Sequence, residues 1–233
     1  IWNFHQKKNL FSKWKQWKKR NKNLKFNMWI ITIHNCIFFN NTAEIGGAVY
    51  ITGRDTKLDN SKFRNNSADD LGGAVFSEGV NFAVEKCDFT NNTAINGGAI
   101  YSMAYPNLID TCNFTDNTAD ETAGAVYLGS DNNTVKNSIF TNNSANSGGA
   151  IYSDVNDELY VLNSKFNYNS AQEYGGAIMA DDYANIVNST FNSNNATTGG
   201  AVYSDSEADF SNSTFLNNKA TNGGAITVND GTI

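Results

Sequence analysis

Apolar residues recur along the chain with a period near 25 residues, and no segment keeps the 3.6-residue period that a helix requires. The period is clearest in one column of phenylalanines, whose successive members are 24 to 26 residues apart. The column consists of Phe38, Phe63, Phe89, Phe114, Phe140, Phe166, Phe191 and Phe215. A fixed period of this length indicates a repeat architecture, in which each unit packs against its neighbours.

Other residue types keep a constant offset from each phenylalanine. An apolar residue comes five positions before it, Ser or Cys two before it, Asn three after it and Ala five after it. Gly-Gly-Ala and then Val or Ile follow about nine positions after it, with one departure at Ala123-Gly124-Ala125-Val126. Short β-branched and aromatic segments bounded by Asn, Gly and Ser are typical of strands and turns.

Roughly 25 residues suit three short strands and three turns, which make one coil of a parallel β-helix. We therefore predict an all-β fold, a right-handed, three-sided parallel β-helix (solenoid) of about eight coils that begins near Ile33. Equivalent strands would pair at about 4.8 Å from coil to coil, so identical residues stack. Because side chains alternate along a strand, the phenylalanines, the Ser/Cys column and the Val/Ile column should point inward.

Asn occupies the same turn position in all eight repeats. Asn tolerates left-handed backbone angles, and stacked amides can hydrogen-bond from one coil to the next. We therefore predict a structural asparagine ladder. Its members are Asn41, Asn66, Asn92, Asn117, Asn143, Asn169, Asn194 and Asn218.

The pairing of Phe-x-x-Asn with Gly-Gly-Ala-(Ile/Leu/Val) resembles the repeats of the chlamydial polymorphic membrane proteins. It is equally similar to the large adhesin-like proteins of methanogenic archaea. The resemblance covers residues 33–226. It implies an extracellular β-helix at the cell surface or outer membrane, whose partners are cell-surface glycans or proteins. Contact with a membrane would come only through parts of the protein absent from this sequence.

Charge divides the chain into two parts. Residues 1–25 contain nine Lys/Arg and no acid, and all four Trp lie within the first 29 residues. We predict that this basic, Trp-rich segment (residues 1–32) is a cap on the first coil, a sequence foreign to the repeats, or a membrane-binding amphipathic segment. Residues 33–233 form the repeat domain, which stops in mid-pattern as if truncated. Eight basic and 23 acidic residues follow Lys25, a net charge of −15 that argues against a nucleic-acid partner.

The sequence offers little for catalysis. His5 and His34 are its only histidines, which leaves little for a Ser-His-Asp or Cys-His mechanism. All coils have nearly the same length, whereas an active site on a solenoid needs long irregular loops on a few coils. We therefore predict a non-enzymatic adhesion module without catalytic residues or a cofactor. The alternatives are a carbohydrate-active β-helix enzyme (polysaccharide lyase or glycoside hydrolase-like) and a passive structural stalk.

Acidic residues recur in the turn after the Gly-Gly-Ala strand. They are Asp55, Glu78, Asp131, Asp154, Asp181, Asp182, Asp205, Glu207 and Asp230. Three interpretations stay open for them: a solvated turn, a stripe of hard oxygen ligands for calcium, and a carboxylate pair for glycoside hydrolysis.

Three cysteines, Cys36, Cys87 and Cys112, lie in the Ser column. We predict small buried spacers. The coil spacing also falls within the range for a Cys87–Cys112 disulfide, although parallel side chains disfavour that bond. Three thiols at this spacing do not suggest a metal site.

An aromatic residue usually follows the Val/Ile column, and Asn-x-Ser/Thr sequons are frequent. The aromatics could form an exposed stacking platform for sugars or proteins, or ordinary cross-strand packing, because their parity also allows burial. The candidate binding residues are Tyr50, Tyr101, Tyr127, Tyr152 and Tyr203. The sequons begin at Asn40, Asn65, Asn91, Asn113, Asn132, Asn142, Asn188, Asn195 and Asn212. They either carry glycans or result from the Asn/Thr-rich composition.

Overall fold

The strands form four parallel sheets, in which strands of successive coils pair side by side. Three of these sheets receive a strand from every coil, and the third sheet receives one from each of the first six coils. The computed structural model describes residues 31–154 and 158–229. Within these ranges the chain consists of strands, turns and bends, with no helix. The predicted solenoid of eight coils is confirmed.

The first and second sheets have eight strands each. The first sheet contains Ile31–His34, Arg54–Asp59, Val80–Glu85, Tyr105–Asp110, Asn133–Lys136, Leu159–Leu162, Ala184–Val187 and Ala208–Ser211. The second sheet, which carries the phenylalanine column, contains Ile37–Phe39, Lys62–Arg64, Asp88–Thr90, Asn113–Thr115, Ile139–Thr141, Lys165–Asn167, Thr190–Asn192 and Thr214–Leu216.

The third sheet has six strands and the fourth has eight. The third sheet contains Thr42–Ile45, Ser67–Leu71, Thr93–Asn96, Thr118–Thr122, Ser144–Ser147 and Ser170–Tyr174. Isolated bridges, such as Ser170 to Asn195 and Asn195 to Lys219, carry its pairing into the last two coils. The fourth sheet contains Val49–Ile51, Val75–Ser77, Ile100–Ser102, Val126–Leu128, Ile151–Ser153, Ile178–Ala180, Val202–Ser204 and Ile226–Val228.

The prediction of three strands per coil was wrong, since the coils have four. A residue with positive φ, such as Asn60 (47°) or Asn137 (52°), bends the chain between the apolar column and each phenylalanine. This bend divides the segment into one strand of the first sheet and one of the second. A left-handed residue produces such a corner without a long turn, so the extra corner leaves no mark on the repeat length.

The interior is filled by stacked columns of identical residues. Phe89 pairs in register with Phe63 on one side and Phe114 on the other. Neighbouring rings along the whole column have centroids 4.7–4.9 Å apart and planes within 3–6°. Val126 and Ile151 of the fourth sheet and Val135 of the first sheet are fully buried beside them. The predicted inward columns are confirmed, and each ring pair adds about 0.5–1.5 kcal/mol beyond the area it buries.

The corner between the third and fourth sheets explains the glycine pair. The first glycine usually has positive φ, as in Gly148 (64°), but Ala123 takes the same conformation (60°) in the divergent coil. The second glycine cannot be replaced in this way. A Cβ on Gly149 would lie 2.1 Å from the carbonyl oxygen of Gly176 and 2.5 Å from that of Ser170. Backbone atoms of the next coil therefore exclude any side chain at the second position.

Candidate ligand surface

The asparagine ladder lies inside the turn between the second and third sheets. Each amide nitrogen donates to the Oδ1 of the next ladder residue, at 2.8 to 3.0 Å from Asn41 through to Asn218. The same Oδ1 also accepts the backbone N–H of the preceding ladder residue, as Asn169 does from Asn143 at 3.0 Å. The predicted ladder is confirmed as a structural element, and its central members are too deeply buried to contact a ligand.

One of the two reasons offered for these asparagines was wrong. The ladder residues do not adopt left-handed angles; positive φ falls one position earlier, at Asn65 (53°), Asn91 (54°) and Asn142 (56°). The physical cause is that the left-handed residue makes the corner, which turns the next side chain inward to its hydrogen-bond partners. That earlier position also accepts Tyr168 and Asp116.

The serine and cysteine column forms a second ladder, in the turn between the first and second sheets. The N–H of Ser138 donates to the Oγ of Ser164 at 3.2 Å, and the N–H of Cys87 donates to the Sγ of Cys112 at 3.5 Å. All three cysteines are free thiols. Burial raises the pKa of Cys87 to about 11 and that of Cys112 further, so both are inert thiols at neutral pH. Cys87 and Cys112 are the buried spacers that the sequence predicts, and Cys36 is half-buried.

The tyrosine column of the fourth sheet is a packed stack. Tyr50, Phe76, Tyr101, Tyr127 and Tyr152 stack from coil to coil, with Tyr101 and Tyr127 at 4.2 Å. Of the two interpretations that the sequence leaves open for this column, the arrangement is cross-strand packing rather than an exposed platform. Tyr127 and Tyr203 are only 9% exposed, and Tyr101 and Tyr152 are half-buried.

Ring faces stacked on neighbouring rings are covered, and Tyr50 is the one predicted binding residue that is exposed (52%). Whether the exposed parts of this column bind a partner stays a prediction.

Several of the acidic residues after the fourth sheet are partners of these tyrosines. Tyr127 donates to Asp154 at 2.5 Å and Tyr152 donates to Asp181 at 2.5 Å, each one coil further along. Burial raises the pKa of both tyrosines, and the carboxylates they contact raise it further, so both hydroxyls stay protonated donors at neutral pH. Tyr203 donates to Asp205 at 3.0 Å. The acids thereby fix the orientation of the aromatic stack.

The surroundings of Asp181 raise the pKa of its carboxyl group. Burial raises its pKa, the hydrogen bond from Tyr152 opposes the shift, and the negative charges of Asp154 and Asp205 add to it. Across residues 31–154 and 158–229, no group of three or more His, Cys, Asp or Glu residues has an arrangement that could hold a metal ion. Calcium binding stays one of the open interpretations of these acids, and Asp230 lies outside the described residues.

Ion pairs between neighbouring coils lie on the first and second sheets. Lys57 contacts Glu85 at 2.7 Å and Lys136 contacts Asp110 at 3.4 Å on the first sheet. Lys62 contacts Asp88 at 3.6 Å on the second sheet. These side chains are partly exposed, so screening by solvent keeps the contribution of each pair to stability small.

An open groove of roughly 620 Å³ runs along the third sheet across five successive coils. Its alanines, such as Ala145 and Ala171, are each 6% exposed and form the floor, and side chains with hydroxyl, amide and charged groups lie beside them. The lining consists of Thr118, Ala119, Asp120, Ser144, Ala145, Ser170, Ala171, Gln172, Asn195, Ala196, Thr197, Lys219, Ala220 and Thr221.

Sequence reasoning missed this groove, although the invariant Ala five residues after each phenylalanine was a usable signal. A small residue at every coil leaves room on the surface only if the strand bends there. The pairing register of the third sheet does shift directly after these alanines, as between Ala145 and Ser147. Nothing in the sequence alone shows that bend.

The nine sequon asparagines all lie on the surface and are exposed. Asn65 and Asn91 occupy the same corner in consecutive coils, and the amide of Asn91 donates to the Oδ1 of Asn65 at 2.9 Å. Attachment of glycans to these residues stays a prediction.

Comparison with known families agrees with this architecture. The family described as right handed beta helix region matches residues 23–191, more than half of the chain. The chain belongs to this right-handed β-helix family. The match also supplies the predicted handedness of the solenoid.

A second family match falls on the last coil. The Chlamydia polymorphic membrane protein repeat matches residues 212–229, which contain Phe215, Asn218 and Gly223-Gly224-Ala225-Ile226. This is the residue pairing that predicted the resemblance, and both matches support a surface-associated β-helix repeat protein. The similarity to archaeal adhesin-like proteins stays a prediction. No curated protein and no solved structure matches the chain.

The basic segment (residues 1–32) lies outside the described residues except for Ile31 and Thr32, so its predicted roles stay open. In the part of the chain that the structure describes, no helix has the length and apolar character needed to cross a membrane.

Proposed function

We propose that this β-helix is a non-enzymatic adhesion module of the cell surface, which binds glycans or proteins of other cells along the length of its coils. The observation that supports this proposal is the groove on the third sheet. It offers a long polar surface built from five equivalent coils rather than a single pocket. An extended surface of this kind suits an extended partner bound by many weak contacts.

The chemistry of the groove supports binding without catalysis. Its lining has one carboxylate, Asp120, and one ammonium group, Lys219, in the first and last of the five coils. Glycoside hydrolysis uses two carboxyl groups about 5–9.5 Å apart. A lyase needs a base together with cations that hold the substrate's uronate groups. The groove lining supplies neither set.

Placement at the cell surface is supported by the match of residues 212–229 to the polymorphic membrane protein repeat. The net charge of −15 after Lys25 disfavours nucleic acid as a partner.

The test is a glycan-array experiment on the purified full chain, with and without calcium, combined with measurement of reducing and unsaturated sugars released from the same glycans. We expect saturable binding without product. Release of sugar would favour the carbohydrate-active enzyme instead. Absence of both glycan binding and sugar release, together with no attachment to intact cells, would favour a passive stalk. Binding that requires calcium would assign the acidic turns a ligand role.

A further inference from the structure

We infer that the groove on the third sheet binds a neutral, extended β-linked polysaccharide that lies parallel to the solenoid axis, with about one sugar per coil. This inference rests on the proposed adhesive function and names the class of ligand and the residues that contact it. It assigns binding to the third sheet rather than to the tyrosine column of the fourth sheet.

Hydrogen-bonding capacity is the first argument. Ser170, Gln172 and Asn195 line the groove, and within the described residues their side chains have no protein hydrogen-bond partner. Gln172 and Asn195 are exposed and Ser170 is half-buried, so all three can reach a ligand. Hydroxyl and amide groups donate and accept together, which suits the hydroxyl groups of a sugar. The hydroxyl oxygens of Thr118 and Ser144, in the two preceding coils, are 3.4 Å apart and extend the same column of hydroxyl groups.

Charge is the second argument. The groove's single acid and single base lie at opposite ends, Asp120 in the first coil and Lys219 in the last. The stretch between them, from Ser144 to Thr197, is lined by uncharged residues alone. An anionic polysaccharide would need cations along its length, and the groove gives it one. A cationic polymer would need a row of acids, which this lining lacks. The lining therefore favours a neutral chain.

Spacing is the third argument. Equivalent groups repeat once per coil, at about 4.8 Å, and five coils cover roughly 19 Å between the first and the last. Successive sugars in an extended β-1,4-linked chain advance by a distance close to this coil spacing. Each sugar would therefore meet nearly the same set of groups as the one before it. The small alanine floor lets a flat sugar ring approach the backbone closely.

The experiment measures the affinity of the full chain for neutral β-1,4-linked gluco- and manno-oligosaccharides of two to six sugars by calorimetry. We expect affinity to rise with each added sugar and to level off at about five. Oligogalacturonates of the same lengths, which are anionic, should bind at least tenfold more weakly. The double variant Gln172→Ala/Asn195→Ala should weaken binding about tenfold or more, since each lost neutral hydrogen bond costs roughly fivefold.

The matched control is Asn167→Ala. Asn167 lies in the same coil as Gln172, but on the second sheet and outside the groove. It should leave affinity unchanged. Circular dichroism confirms that each variant is folded, which is expected because Gln172 and Asn195 are exposed.

Three results would overturn the inference while leaving adhesion intact. The first is binding of the oligosaccharides that the groove variant does not weaken. The second is attachment of the chain to cells without affinity for any neutral oligosaccharide, which would point to a protein partner. The third is tighter binding of the oligogalacturonates than of the neutral oligosaccharides.

Discussion

Removing one amide from the centre of the asparagine ladder should cost a large part of the stability of this fold. Asn143 is fully buried, and its side chain makes four hydrogen bonds. Its amide donates to the Phe114 carbonyl oxygen at 3.1 Å and to the Oδ1 of Asn169 at 2.9 Å. Its Oδ1 accepts the N–H of Asn117 at 3.1 Å and the amide of Asn117 at 3.0 Å.

Asn143→Ala leaves two buried donor groups of Asn117 without their shared acceptor, the Oδ1 of Asn143. Each buried group left unpaired costs about 1–3 kcal/mol, so the variant should lose about 2–6 kcal/mol. Native domains are stable by only about 5–15 kcal/mol. The measurement is urea unfolding followed by far-ultraviolet circular dichroism, in which the midpoint should fall.

Asn167→Ala is the control, because this half-buried asparagine lies on the neighbouring sheet and its side chain has no protein partner among the described residues. It should change stability by no more than about 0.5 kcal/mol. A loss below about 1 kcal/mol for Asn143→Ala would refute the view that the ladder holds adjacent coils together.

Three further predictions concern the glycine corner, the half-buried carboxyl of Asp181 and the sequons. Gly149→Ala should prevent folding, because its Cβ would meet the backbone oxygens of Gly176 and Ser170 at 2.1 and 2.5 Å. Gly148→Ala should fold with a lower thermal midpoint, because its Cβ would meet only the Ile151 carbonyl oxygen closely, at 2.5 Å, and Ala123 already occupies the equivalent position in another coil. Burial raises the pKa of Asp181, so its contribution to stability should be present at low pH and lost as pH rises through the raised pKa. When the free energy of unfolding is measured as a function of pH, Asp181→Asn should no longer show this loss of stability. When the chain is secreted by an N-glycosylating host, Asn65 and Asn91 should not both carry glycans in one molecule, as shown by intact mass spectrometry.

Each of these has a contradicting result. Equal thermal midpoints for the two glycine variants would show that the second glycine is not fixed by backbone contact. An unchanged pH slope in Asp181→Asn would exclude this carboxyl as its source. Doubly occupied molecules at Asn65 and Asn91 would show that one coil spacing leaves room for two glycans.

The stacking of the coils could be predicted from the sequence because one period constrains every column. Phe89 lies at a fixed offset from Asn92 and Ala94 in its own coil, and the same offset repeats in all eight copies. Parallel pairing in register then places each residue on its equivalent, which is the arrangement that the pairing of Phe89 with Phe114 shows. The inward columns and the ladder follow from that single constraint.

The features that were missed depend on backbone angles rather than on residue type. Lys86 and Thr111 both adopt positive φ (52° and 57°) at a corner where other coils have Asn, so composition alone could not mark a fourth strand. The burial of Tyr127 depends on its neighbours and on Asp154 one coil away. The alternation of side chains along its strand was compatible with either burial or exposure of Tyr127. The groove depends on a bend after Ala145 that has no signature in the repeat.

The most direct test of the account is attachment of beads coated with the full chain to cells whose surface glycans are intact or enzymatically removed. We expect saturable attachment to intact cells, competition by soluble chain and by neutral β-linked oligosaccharide, and no release of sugar. Beads that carry Gln172→Ala/Asn195→Ala should attach less than beads that carry Asn167→Ala. Attachment no greater than that of uncoated beads, or release of sugar products from the cells, would contradict it.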